Sequence, residues 1–348
     1  SLDRRQRQMC IRDRLLDDLE EQIEGLIDAP LKTVSAPFLG RVSRSEDAAS
    51  LYIEFCKNTL RLGSDLSDLK VVIDCAHGAA YQIGPKVFRE LGVEVEAIGI
   101  QPDGLNINNR CGSTAPSALI DTVISSKADL GIAFDGDADR VVMVDEKGRL
   151  VDGDEILYII AAFRNQKGEM SGGVVGTLMT NFGLEKALQS MQIPLIRTKV
   201  GDRYVIEEMI TRGWSLGGET SGHIICSDLT STGDGIVAAL QVVNALCLSG
   251  QRLSQACSGM TKCPQFLVNV PSINTDCLNH KLVSETVQHV ESALGDRGRV
   301  VLRPSGTEPL VRIMVEGDNP EEIKAHATSI AHSVETVSYT HLTLPTIE

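Results

Sequence analysis

A chain of 348 residues, 42% hydrophobic and with a formal net charge of −14, is long enough for two or more cored domains and too acidic for nucleic acid to be its main partner. No apolar run approaches the roughly 18 residues that cross a bilayer and no signal peptide is visible, so no membrane partner is expected. Nine cysteines form no Cys-x-x-Cys pair and lie mostly in apolar runs, the usage of reduced, buried thiols in a cytoplasmic protein.

Residues 1–14 (SLDRRQRQMCIRDR) and 337–348 (VSYTHLTLPTIE) resemble translated sequencing adapter, so both are set aside and the natural protein is expected to begin upstream. Residues 15–64 read as the remnant of an earlier domain: an acidic amphipathic helix over 15–29, a loop, and a second helix over 47–60. From residue 65 the rhythm becomes that of an α/β unit, running to about 166. Strands are predicted at 70–74, 93–98 and 128–134, helices at 79–91 and 118–126, then a hairpin over 141–151 and a helix at 154–165. A second α/β unit, 167–262, repeats the tempo with strands at 174–176 and 195–199, helices at 183–191 and 202–212, strands around 214–216 and 223–226, and an apolar helix at 236–248. Lys262-Cys263-Pro264 leads to a small α+β domain, 263–336, in the order strand, helix, strand, strand, helix.

The densest chemistry is Asp135-Gly136-Asp137-Ala138-Asp139-Arg140, at the carboxyl end of the strand 128–134, where ligand sites of such sheets gather. Three carboxylates this close repel unless a cation lies among them, and an all-oxygen donor set suits a hard ion such as Mg2+. Glu146 falls at the twelfth position of an EF-hand pattern, but Arg140 stands where that loop needs glycine and a strand follows. A solvated acidic loop is the plain alternative.

Arg303-Pro304-Ser305-Gly306-Thr307, with Arg312 beyond, sits between two strands and combines hydroxyls, a glycine and guanidinium groups into an anion nest, or into an ordinary polar hairpin. Gly217-Gly218-Glu219-Thr220-Ser221-Gly222-His223 is a second glycine-rich loop; Glu219, Ser221 and His223 alternate and could face a sugar together, or the loop is a tight turn. Lys199, Gly201, Asp202 and Arg203 form a third polar loop before a helix, suited to an anion or to capping by Asp202. His77, His280, His289, His326 and His332 read as structural and without partners.

Together AFDGDADR, GGETSGH and RPSGTEPLVRIMVEG resemble, in order and rough spacing, the metal, sugar and phosphate loops of the α-D-phosphohexomutase superfamily. YIEFCK (52–57), NINNRCGST (106–114) and TKVGDRYV (198–205) are similar to its bacterial phosphoglucosamine mutase family. The resemblance implies repeated three-layer α/β/α domains with mixed sheets around a cleft plus the small C-terminal α+β domain. It implies an isomerase interconverting glucosamine 6-phosphate and glucosamine 1-phosphate, a peptidoglycan precursor step, through a phosphoserine and a hexosamine 1,6-bisphosphate intermediate. Asp135, Asp137 and Asp139 would hold Mg2+, Arg140 would orient the donor phosphate, and His223 would assist proton transfer. Lys199, Arg203, Glu219 and Ser221 would bind the sugar phosphate; Arg303, Ser305, Gly306, Thr307 and Arg312 would grip its other phosphate. A homodimer is one assembly open to the full-length enzyme. The family's Thr/Ala-Ser-His-Asn-Pro loop does not occur in these 348 residues, so this product is expected to be truncated and inactive. The alternatives are a phosphomannomutase or phosphoglucomutase of the same superfamily, or a non-catalytic sugar-phosphate-binding protein.

Overall fold

The computed structural model describes residues 17–43, 47–60, 65–271, 275–305 and 309–343. The chain divides into two compact units, one ending at Thr177 but rejoined by Ile193–Ser258, the other formed by Leu178–Gln192 and the residues from Gly259 onward. Among the described residues no helix is long and apolar enough to cross a membrane.

In the first unit, α1 (Asp17–Ile27) leaves Leu19, Ile23, Leu26 and Ile27 exposed, whereas α2 (Ala48–Lys57) buries Ile53 and Cys56. There follow β1 (Lys70–Asp74), α3 (Ile83–Glu90), β2 (Glu94–Ile98), α4 (Ser117–Ser126), β3 (Leu130–Phe134), β4 (Val141–Asp145), β5 (Leu150–Val151) and α5 (Gly153–Gln166). The sheet runs β2-β1-β3-β4-β5, parallel among the first three and antiparallel thereafter. Every residue of β3 and β4 is buried, which explains their continuous apolar runs. The helix predicted over 79–91 is split: a 3-10 turn, Ala79–Tyr81, precedes α3 because Pro85 is tolerated only in a helix's first turn.

The same unit continues with β6 (Val174–Thr177) and, in the other unit, α6 (Phe182–Ser190); back in the first come β7 (Leu195–Thr198), α7 (Asp202–Arg212), β8 (Leu216–Gly218), β9 (Ile224–Cys226), α8 (Gly235–Ser249) and the short α9 (Leu253–Ala256), which periodicity does not reveal. This sheet is ordered β7-β6-β8-β9, with only β9 antiparallel. The strand expected around 214–216 lies two residues later. A Cβ on Gly217 would stand 2.6 Å from Met209 Sδ, so the glycines are there for close packing under α7 and do not end the strand.

The second unit adds β10 (Gln265–Pro271), α10 (Lys281–Leu294), β11 (Gly298–Pro304), β12 (Leu310–Gly317) and α11 (Pro320–Thr343) in the predicted order. Its antiparallel sheet, β10-β12-β11, packs Val270, Val311, Ile313 and Val315 against Val283, Val290, Ile323, Ile330 and Val334. Each such side chain contributes about 1.5–3 kcal/mol when fully buried. α11 runs on past the expected end near residue 334, and Val337 is buried in this core. Arg299 fastens α6's approach within the unit, donating to the Leu178 and Thr180 carbonyls at 3.0 and 2.6 Å and to the buried Glu316 at 2.7 Å.

Candidate active site

The chain leaves β3 at Phe134 and curls at once, so the three aspartates converge in a loop instead of alternating along a strand. One ligand oxygen from each of Asp135, Asp137 and Asp139 lies within 4.8 Å of the others, with Asp135 buried, Asp137 exposed and Asp139 half-buried. The curl is held by Ala138 N–H to Asp135 O (3.2 Å), by Arg140 N–H to Asp135 Oδ1 (3.1 Å), and by Gly235 N–H at the start of α8 to Ala138 O (2.9 Å). Burial, then the Asp139 and Asp137 charges, push the Asp135 carboxyl up to about 6 against the opposing Arg140 hydrogen bond. The Arg140 guanidinium, nearly half exposed, stands 3.9 Å from both Asp135 and Asp139, too far to neutralise either closely. A converged, all-carboxylate donor set with a raised acid fits a hard divalent cation. The EF-hand alternative fails: Glu146 accepts from Ser254 Oγ at 2.5 Å, beyond the fully buried strand β4.

The sugar-loop candidate lies against this metal-loop candidate. Arg140 and His223 form an antiparallel bridge, Val141 N–H donates to Gly222 O at 3.0 Å, and His223 Nδ1 is 3.1 Å from Asp139 Oδ2. Glu219, Ser221 and His223 do not share one strand face. Gly222 N–H to Glu219 O (2.9 Å) and Glu219 N–H to His223 O (3.0 Å) close a tight turn with Ser221 exposed at its tip and the His223 ring buried. The turn rests on the first residues of α5: Gly153 N–H donates to Thr220 O at 3.1 Å, and Thr220 Oγ1 to the fully buried Asp154 at 2.9 Å. A Cβ on Gly153 would sit 2.0 Å from Glu219 O, so only glycine fits there.

Glu219 Oε1 accepts from Gly201 N–H at 2.9 Å, which brings the third polar loop to the same place. Lys199 Nζ stands 5.7 Å from the Tyr204 ring, and Arg203 pairs with Glu207 at 3.0 Å. The N-cap of α7 is Gly201, at φ 129° and with no side-chain cap; Asp202 is its first helical residue and not the cap. In the other unit, Arg303 and Arg312 face each other directly in the β11–β12 register, and Ser305 N–H closes the loop onto Leu310 O at 2.8 Å. Like charges opposed across a ladder are unfavourable unless an anion joins them. Gly306 and Thr307 lie outside the described residues.

Two histidines expected to lack partners have them: His77 Nδ1 accepts from Gln101 N–H, and His280 Nδ1 from Leu282 N–H as the cap of α10; the buried His326 Nε2, 3.7 Å from Glu322, makes no hydrogen bond. Residues that sequence reasoning missed are Asp154 and Asp234. Asp234 caps α8 through Val237 N–H and accepts from Tyr52 Oη at 2.7 Å. For Asp234 the available signal was its place just before the apolar helix α8, since aspartate is a favoured N-cap.

The family profiles for phosphoglucomutase/phosphomannomutase match in succession: alpha/beta/alpha domain II over residues 50–148, alpha/beta/alpha domain III over 152–263 and the C-terminal domain over 262–333. The phosphoglucosamine mutase of Azotobacter vinelandii is 54% identical over 325 residues, 93% of this chain and 73% of that protein. That of Aeromonas hydrophila is 56% identical over 323 residues, again covering 73% of its length. The chain belongs to the phosphoglucosamine mutase family, isomerases that act by phosphotransfer. Among solved structures, a phosphoglucomutase/phosphomannomutase family protein from Burkholderia thailandensis superposes with TM-score 0.74 at 19% identity, covering 92% of this chain and 70% of that one. The Aspergillus fumigatus N-acetylphosphoglucosamine mutase, in complex with GlcNAc-6P and magnesium, gives 0.69 at 22% identity, covering 84% of this chain and 66% of that one. Both show the same fold.

Proposed function

We propose that the protein interconverts glucosamine 6-phosphate and glucosamine 1-phosphate by passing a phosphoryl group from a phosphoserine to the sugar and back, through hexosamine 1,6-bisphosphate. The observation that carries this reading is the abutment of the Asp135–Asp139 triad on the Glu219–His223 turn, in a chain more than half identical to phosphoglucosamine mutases.

Asp135, Asp137 and Asp139 would hold Mg2+, which when bound neutralises charge on the phosphoryl group in flight. Arg140, 3.9 Å from two of these carboxylates and partly exposed, would orient the donor phosphate. Glu219, fixed by Gly201 N–H, and the exposed Ser221 offer an acceptor and a donor to adjacent sugar hydroxyls, with Lys199 and Arg203 flanking. As the phosphoryl leaves the serine oxygen and bonds to the sugar oxygen, that hydroxyl's proton needs a base. His223, paired at Nδ1 with Asp139, would assist that transfer; its Nε2 is buried beside Gly233 and makes no hydrogen bond with the protein. Arg303 and Arg312, opposed across β11 and β12, would bind a phosphate group of the substrate, with Ser305, Gly306 and Thr307 suited to it by residue type.

No Ser-His-Asn occurs in these 348 residues, and on this reading they turn over poorly alone. Coupled assays test both halves. The full-length enzyme is expected to prefer glucosamine 6-phosphate over mannose 6-phosphate and glucose 6-phosphate. A preference for either of those, or robust turnover by the 348-residue chain alone, would overturn the corresponding half.

A further inference from the structure

Asp74 ends the apolar strand β1 and is fully buried, yet none of the roles above uses it. Its Oδ1 accepts from Ala76 N–H at 2.9 Å and its Oδ2 from Gly112 N–H at 2.7 Å. One carboxylate thus joins the loop after β1 to the loop before α4, and Asn108 N–H to Ala76 O, at 2.9 Å, joins them again. Each loop then grips the strand exit that bears the acid triad. Ala79 N–H donates to Gly136 O at 2.8 Å, and Ser113 N–H to Phe134 O at 2.9 Å. Asp135 is the residue between those two tethered carbonyls.

The surrounding backbone is strained and close-packed. Ala76, His77, Asn108 and Arg110 all sit in the left-handed region, with φ of 54°, 50°, 57° and 57°. A Cβ on Gly78 would stand 2.2 Å from Gly136 O, one on Gly112 2.5 Å from Phe134 O, and one on Gly99 2.3 Å from Asp74 Oδ1. Such geometry persists only where the surrounding bonds over-determine it, and Asp74 supplies two of them.

We infer that Asp74 is a positioning residue for the metal loop: it locks together the two loops whose N–H groups hold the carbonyls on either side of Asp135. Mutual repulsion drives three converged carboxylates apart, so without this clasp a cation must also order the loop. Its apparent affinity then falls in proportion to the fraction of molecules in the converged form. The inference rests on the reading of the triad as a Mg2+ site.

Calorimetric titration of the full 348-residue chain with MgCl2 tests it. Asp74→Asn keeps the side chain's size but turns one acceptor into an NH2 facing an N–H donor. Its Mg2+ Kd is expected to weaken about tenfold or more, the scale set by supporting groups at metal centres, with faster amide exchange over 135–138. Gly78→Ala, beside the Ala79 N–H that holds Gly136 O, presses on that oxygen and is expected to reproduce the loss; should Asp74→Asn fail to fold, it decides alone. Met209→Ala, in the core beneath β8, provides a purely destabilising comparison whose melting temperature falls while its Kd stays. A parental Kd in Asp74→Asn or in Gly78→Ala overturns the inference. Absence of Mg2+ uptake by the parent chain overturns the metal reading itself, and the inference with it.

Discussion

Asp137 is the exposed member of the triad, and its ligand oxygen lies within 4.8 Å of those of Asp135 and Asp139. Two unit charges at that spacing repel by about 3.5 kcal/mol at an effective dielectric of about 20, and solvent around an exposed carboxylate cuts this to about 1 kcal/mol or less. Asp137→Asn is therefore expected to leave the metal-free protein as stable as the parent, or more stable by up to about 1 kcal/mol, equivalent to about 2–4 °C in Tm. In Mg2+ the order reverses. At a hundredfold excess over Kd the parent gains about 2.7 kcal/mol, or roughly 5–10 °C, whereas two carboxylates hold the ion too weakly to match it. Thermal scans in EDTA and across a Mg2+ series read both halves. An Asp137→Asn protein that melts well below the parent in EDTA, or that keeps the full Mg2+ shift, would refute the argument that the triad is a set of repelling ligands.

Arg303→Gln removes one of two opposed like charges and is expected to change the C-terminal unit's stability by under about 1 kcal/mol, while abolishing any rise in melting temperature on adding inorganic phosphate. Arg299→Ala strips the buried Glu316 of its guanidinium partner, and urea unfolding is expected to report a loss of about 3–5 kcal/mol. Burial pushes the thiols of Cys56 and Cys75 up to about 12, so the thiolate fraction stays negligible until pH nears that value. Among the described cysteines, iodoacetamide at pH 8 is expected to modify the half-exposed Cys247 first, which peptide mapping would show.

The alternation of strands and helices was legible because each buried element carries its own signature. β3, and β4 up to Asp145, are apolar because both faces are covered, and α10 and α11 keep a helical apolar stripe. Where glycine serves packing, the signature misleads: Gly217 and Gly218 read as a break and are strand. The split before α3 and the short α9 depend on one turn's geometry, below what periodicity can register.

The site divides the same way. Asp135, Asp137, Asp139, Arg303 and Arg312 stand out in the sequence because charge density and residue type are local properties. Asp74, Asp154 and Asp234 do not, since each is an unremarked aspartate until folding shows which distant N–H or O–H groups it accepts. What the sequence by itself determined is therefore the element order, the family and the chemical groups available for metal and phosphate. Only the tertiary structure decided that the acid triad curls, that the Glu219–His223 turn abuts it, and that Arg303 opposes Arg312. The reason is physical. Composition and period are carried by neighbours along the chain, but convergence is set by hydrogen bonds between residues far apart in it, and no single stretch contains both ends of those bonds.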